Sequence, residues 1–183
     1  MRTKETLRAE CLKKRSALSS EIRAEKTKLI VSTLENTEQL KQSGVILGYW
    51  AINEEVNINE VLIDWSHSKT ILLPRLINAE QFEVAPIESL ADLKENRWRI
   101  KEPTTPAYWG PIDLILVPGV AFGKNGERIG MGKGYYDRFL KNHSTTPKWG
   151  LAFQEQILDQ IPNESYDVPV DLVVTEKQVY QRK

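Results

Sequence analysis

Three cations, Lys124, Arg128 and Lys133, lie in a segment that also holds Gly119, Gly123, Gly126, Gly130 and Gly132. Cations neutralise phosphate charge, and glycines let the backbone approach a ligand and offer it N–H groups. The flanking residues indicate how such a loop would be held. Ile112 to Val117 is a nearly unbroken apolar run with β-branched residues, the pattern of a strand buried on both faces. Gly134 to Lys141 reads as a helix, with Tyr135, Phe139 and Leu140 on a packing face. A strand, a long loop over Pro118 to Lys133 and then a helix would point backbone N–H groups and a helix N-terminus at an anion.

Counting excludes two nucleotide motifs. A P-loop requires G-x-x-x-x-G-K-[ST], but here Glu127 precedes Gly132-Lys133 by five places and Gly134 follows. A dinucleotide fingerprint requires a third glycine where Tyr135 stands. The loop therefore belongs to another phosphate-type class, or is a long connection with glycines at its turns.

The remaining chain supplies alternating strands and helices. Residues 3 to 17 read as a helix whose apolar stripe is Leu7, Cys11 and Leu18. Lys4, Arg8 and Arg15 form a second stripe at the same spacing, which a solvated basic face would explain. Ser19 and Ser20 break that helix and cap the next, whose core face is Ile22, Leu29, Ile30 and Leu34. Val45 to Trp50 is a strand, and Asn57 with Glu60 resembles a capping pair for a short helix through Trp65. Thr70 to Leu73 is a strand ended by Pro74, and Gln81 to Ile87 is a half-exposed strand. Residues 88 to 111 read as a helical turn and a surface excursion. Trp149 to Phe153 and Asp171 to Val174 are the last strands, with a short helix over Gln154 to Leu158 between them. His67 and His143 are flanked by polar residues and read as solvated. Trp98 and Trp109 read as packing residues.

This order predicts an α/β fold: one domain over residues 1–183, a three-layer sandwich with a mainly parallel sheet and helices on both faces. Ligands in such sheets sit beyond the carboxyl ends of the strands. That rule brings Trp50 to Glu55, Pro74-Arg75 and the Pro118 to Gly134 loop to one edge.

Composition narrows the function. The 183 residues carry 25 Lys and Arg against 25 Asp and Glu, a formal net charge of zero, which argues against a general nucleic-acid binder. One cysteine, Cys11, excludes an internal disulfide and fits a reducing compartment. No apolar run is long enough to span a bilayer, and the start of the chain has no apolar signal core. The expectation is a cytoplasmic protein with no nucleic-acid or membrane partner, taken as a monomer.

The string V-P-G-V-A-F, followed by G-x-R-I-G-x-G-x-G-Y-Y-D-R, resembles the signature of the 5-formyltetrahydrofolate cyclo-ligases. Lys4-x-x-Leu7-Arg8, Tyr49 to Val56, Leu73-Pro74-Arg75, Ile100-x-Glu102-Pro103 and Ala152 to Gln156 fall in the family's order, so the likeness covers nearly the whole chain. Two departures stand out. Gly123 takes a place where many members carry an acidic residue, and Met131 one where glycine or arginine is common.

The resemblance implies ATP- and Mg2+-dependent closure of 5-formyltetrahydrofolate to 5,10-methenyltetrahydrofolate. It implies an ATP site of Lys4, Arg8, Arg128, Ile129, Gly130, Met131, Gly132, Lys133, Gly134, Tyr135 and Tyr136. Lys133 and Arg128 stand nearest the transferred phosphoryl group. It implies a folate site of Trp50, Glu55, Met131, Gly132, Lys133, Gly134 and Tyr135, and Mg2+ on Asp137 and Asp167. Two other readings use the same residues. One is a folate- or nucleotide-binding regulator without turnover, motivated by Gly123 and Met131. The other is an isomerase-like enzyme with Glu55 as a base, whose turnover would not need ATP.

Overall fold

The computed structural model describes residues 2–183. The chain opens with three helices, α1 (Lys4–Ser16), α2 (Ser20–Glu35) and α3 (Glu38–Gln42). Thr3, Ser19 and Thr37 cap them, each side chain accepting from a backbone N–H three residues on. There follow β1 (Val45–Leu47), α4 (Asn59–Ser66), β2 (Thr70–Leu76), β3 (Phe82–Ile87), the hairpin β4 (Leu93–Glu95) and β5 (Lys101–Pro103), and β6 (Leu114–Val117). The loop after β6 holds β7 (Ala121–Gly123) and β8 (Arg128–Ile129) and leads into α5 (Tyr135–Lys141). The chain then runs through β9 (Lys148–Leu151), β10 (Ile157–Leu158), β11 (Leu172–Val174) and β12 (Val179–Gln181).

One seven-stranded sheet, in the order β12-β11-β9-β6-β1-β2-β3, organises these elements. Its inner five strands are parallel, and β12 and β3 lie antiparallel at the edges. Alternate residues of each strand serve opposite faces. Ile46, Ile71, Leu114, Leu116 and Val174 pack under Ile30 and Leu34 of α2, Leu40 of α3, and Leu62 and Trp65 of α4. Leu47, Leu72, Ile115, Val117 and Val173 pack on the other face with Leu140 of α5. Helices thus cover both faces of a mainly parallel sheet, three on one side and one on the other. Rings of Phe82, Tyr136, Phe139 and His143 dock α5, with centroids 4.4 to 5.3 Å apart. α1 packs Leu7 and Cys11 against Val120, Ala121 and Ile129 of the small β10-β7-β8 sheet.

The connections reverse direction at β1. From β1 the chain crosses by α4 to β2 on one side, returns to β6 on the other, and continues by α5 to β9. The carboxyl ends of β1 and β6 therefore border a crevice at a topological switch point.

Several expected elements differ. Pro74 does not end its strand, because Gly48 N–H already takes Leu72 O at the end of β1. By strand parity the missing N–H of Pro74 faces the side that β1 no longer covers, so no ladder bond is lost. Ile22 and Leu29 are exposed, and Val31 joins Ile30 and Leu34 inside. Asn57 does not cap α4 with Glu60; it turns back one step earlier, accepting from Asn59 N–H at 3.1 Å. The excursion over 88 to 111 holds the β4-β5 hairpin, and Gln154–Gln156 is a single 3-10 turn before β10. His143 is half-buried against Phe139 instead of solvated.

Gly126 sits at the turn between β7 and β8 with φ of +86°, and a Cβ there would lie 2.1 Å from the carbonyl oxygen of Val170. Both the backbone angle and the close approach require glycine. Gly126→Ala should lower stability by about 2 kcal/mol or more, read as a lower denaturation midpoint at unchanged slope.

Candidate functional site

The crevice is lined from both sides of the switch point. After β1, Tyr49 turns inward and donates its hydroxyl to Val56 O at 2.9 Å. This closes a tight loop in which Glu55 accepts from Ile52 N–H at 3.1 Å. After β6, Gln156 donates to Gly119 O at 2.9 Å and Val120 O at 3.0 Å and so fixes the departing chain. The β7-β8 hairpin then delivers Arg128 and Ile129, both buried, and the loop Gly130 to Gly134 emerges into the open. Gly134 is in the left-handed region at φ +66° and directly precedes α5.

Helix α1 lies across this loop. Arg8 Nε donates to Gly130 O at 2.8 Å, and its guanidinium borders Gly132. Lys4 bonds Glu164 at 2.6 Å and also Asp167, whose carboxylate takes Glu164 N–H at 2.7 Å. Burial alone would lower the Lys4 pKa, but the two carboxylates raise it above the ordinary value. Arg128 pairs with Asp137 at 2.9 Å and stands 5.7 Å from the ring of Tyr136. Asp137 also accepts from Val168 N–H at 3.3 Å, which places it beside Asp167 in the chain. Asp137 thus reaches the residue next to Asp167, and each aspartate is paired with a cation.

Glu55 is half-buried and within electrostatic reach of Tyr49 and Tyr136. Burial raises its carboxyl pKa, opposed by the Ile52 hydrogen bond and the charge of Arg15. Burial also raises the hydroxyl pKa of Tyr49 and Tyr136, and the Glu55 charge adds to both. Glu55, Tyr49, Tyr136, Arg15 and Arg128 are therefore electrostatic neighbours.

Of the residues expected at the site, Lys4, Arg8, Arg128, Ile129, Gly130, Gly132, Gly134, Tyr136, Asp137 and Asp167 converge, and the charge of Glu55 reaches Tyr136. Lys133 is exposed, 5.8 Å over the ring of Trp98 on the β4-β5 turn. Met131 is 61% exposed at the loop tip. Tyr135 turns toward the β2-β3 connection, reaching Asn78 O at 3.4 Å. Trp50 is half-buried beside Lys101, 5.4 Å away, and packs on the first core cluster. Trp109 is 85% exposed. At Gly123 a Cβ would lie 2.1 Å from Glu127 Oε2, which itself accepts from Asn125 N–H at 3.3 Å. Glu127 thus fills the space that a residue larger than glycine would occupy.

Sequence reasoning missed Tyr49 and misplaced Arg15. Arg15 lies on the buried stripe of α1, four residues beyond Cys11 and eight beyond Leu7. That regular spacing was the available signal.

An open α/β sheet with a switch-point crevice bordered by cations, a glycine loop and carboxylates places this chain among the α/β proteins that bind ligands at that crevice. Comparison with known proteins gives the family. Residues 1–176 match the 5-formyltetrahydrofolate cyclo-ligase family. The chain is 32% identical to the 5-formyltetrahydrofolate cyclo-ligase of Mus musculus, covering 94% of this chain and 93% of that protein. It is 28% identical to the Haemophilus influenzae protein of that name, covering 93% and 97%. The solved structure of Aquifex aeolicus 5,10-methenyltetrahydrofolate synthetase superposes with a TM-score of 0.88 at 35% identity, covering 97% of this chain and 92% of that one. The chain belongs to the 5-formyltetrahydrofolate cyclo-ligase family and is an enzyme.

Proposed function

We propose that the chain acts as a single unit that closes 5-formyltetrahydrofolate to 5,10-methenyltetrahydrofolate with ATP and Mg2+, releasing ADP and phosphate. The observation that carries this reading is the meeting of two unlike surfaces at the switch point. Lys4, Arg8, Arg128 and the Gly130 to Gly134 loop suit phosphates, while Glu55 and Tyr136 suit a flat heterocycle with N–H groups.

The formyl oxygen of the substrate is a poor leaving group. In this mechanism it attacks the γ-phosphorus, ADP departs, and the oxygen carries the phosphoryl group. N10 then adds to the activated carbon and loses its proton, and the carbon–oxygen bond breaks to release phosphate. No enzyme nucleophile is needed, so the protein contributes alignment and charge stabilisation. Backbone N–H groups of the loop and Lys133 hold the γ-phosphate, Arg8 and Lys4 close the site from α1, and Arg128 orients Asp137. Glu55 accepts hydrogen bonds from the pterin and so aims the formyl oxygen.

Two neighbouring carboxylates suit Mg2+, which takes one or two such ligands and fills its remaining positions with phosphate oxygens and water. Asp137 and Asp167 would hold it, and it would neutralise phosphate charge. A cytoplasmic monomer belongs to the same reading; no helix among the described residues is long and apolar enough to cross a membrane.

The test is to mix protein, 5-formyltetrahydrofolate and Mg·ATP and follow the near-ultraviolet absorbance of the methenyl product. A rise that vanishes when ATP or Mg2+ is omitted is expected. A flat trace from folded protein would overturn the reading and leave a binding protein.

A further inference from the structure

Arg15 is 2% exposed, yet its Nε and Nη1 have no hydrogen-bond partner and, among the described residues, no carboxylate pairs with it. A buried guanidinium without partners is strongly unfavourable, and native chains rarely leave one so. Two further buried donors nearby are also unpartnered, Nε of Arg128 and the hydroxyl of Tyr136. Arg128 is 8% exposed. Two of these groups lie within electrostatic reach of Glu55, whose carboxyl feels the charge of Arg15 and in turn acts on Tyr136. The fold thus presents buried donors with nothing to donate to, near the half-buried carboxylate of Glu55.

The chemistry of the missing partner follows from that pairing. A phosphate beside Arg15 would also face the Glu55 carboxylate, and the cations at the open loop suit phosphate better. A neutral group offering an N–H to Glu55 and a carbonyl oxygen to Arg15 satisfies both without adding charge. A cyclic amide edge has that donor–acceptor order, and the pterin ring of a folate carries one at N3–H and the C4 carbonyl. We propose that Arg15 is a substrate-binding residue that donates to the C4 oxygen of the pterin while Glu55 accepts from N3–H, so that the pair selects 4-oxo over 4-amino pterins. This rests on the folate reading of the Glu55 pocket.

The test is a fluorescence titration of the intact chain with folic acid and with its 2,4-diamino analogue, which carries an amine where the carbonyl stood. Wild type should prefer the 4-oxo ring by about 10- to 100-fold, the worth of one charge-assisted hydrogen bond. Arg15→Met fills the same space without donors and should bring the two affinities to within about threefold, with KM for ATP unchanged and thermal stability equal or higher. Arg15→Lys keeps one donor and should retain part of the preference; if the Met variant fails to fold, this variant decides, and full preference in it overturns the proposal. Unchanged preference in Arg15→Met, or a rise in KM for ATP instead of folate, also overturns it. Wild type that turns over 5-formyltetrahydrofolate but fails these arms removes only this inference. Wild type that neither turns over nor binds either pterin removes the functional reading itself.

Discussion

Lys133→Ala should lower turnover by about 100-fold or more, with thermal unfolding unchanged, because loss of one preorganised charge at a transferring group has that effect. The structure separates the two consequences. The side chain is exposed, has no carboxylate partner among the described residues, and stands 5.8 Å over the Trp98 ring. Exposed substitutions of this kind change stability by about 0.5 kcal/mol at most. The backbone carbonyl of Lys133 holds Arg138 at 2.7 Å and survives truncation of the side chain, so the start of α5 stays in place. The measurement is kcat at saturating ATP and folate beside a melting curve. Near-normal kcat would remove Lys133 from the phosphoryl group.

Glu55→Gln should weaken kcat/KM for folate by about 10-fold or more while leaving KM for ATP nearly unchanged, since it replaces a charged acceptor with a neutral amide. The same variant should be more stable than wild type at neutral pH. Burial raises the Glu55 pKa above that of the unfolded chain. Between the two values the folded state binds more proton than the unfolded state, so stability falls as pH rises through that window. At neutral pH the ionised carboxylate therefore destabilises the fold, and acidification relieves it. Wild-type stability should gain on moderate acidification relative to Glu55→Gln, whereas folate turnover should fall as the acceptor is protonated. A variant that loses ATP and folate affinity equally would show instead that Glu55 only supports the 52–56 turn.

The parts of this molecule that could be read beforehand are those where local pattern and tertiary role agree. Ile112 to Val117 is apolar throughout because β6 is covered on both faces, and burial on two sides leaves no alternation to confuse. The glycine loop, α5 and the edge that gathers them follow from strand direction alone. Arg15 was hidden because cations at spacings of four and seven on a helix ordinarily face water, and only the packing of α1 against β7 and β8 reverses that. Strands β7, β8 and β12 were missed because two or three residues carry too little periodicity to register. Pro74 misled because a proline usually stops a strand, and its tolerance depends on where the neighbouring strand ends. Lys4 and Asp167 sit far apart in sequence, so their pairing could be expected only through likeness to other proteins.

The direction of β12 separates the two ends of the molecule. Its antiparallel register sets Gln181 opposite Leu172, at the start of β11, and Arg182 N–H reaches Asp171 O at 2.9 Å. The last residues consequently emerge beneath the sheet, on the side away from the crevice, whereas the first turn of α1 stands over the crevice mouth. A fluorophore, affinity handle or solid support joined after Lys183 would leave the entrance facing solvent. The same attachment ahead of Lys4 would crowd the entrance, and its effect should show in KM before it shows in melting temperature.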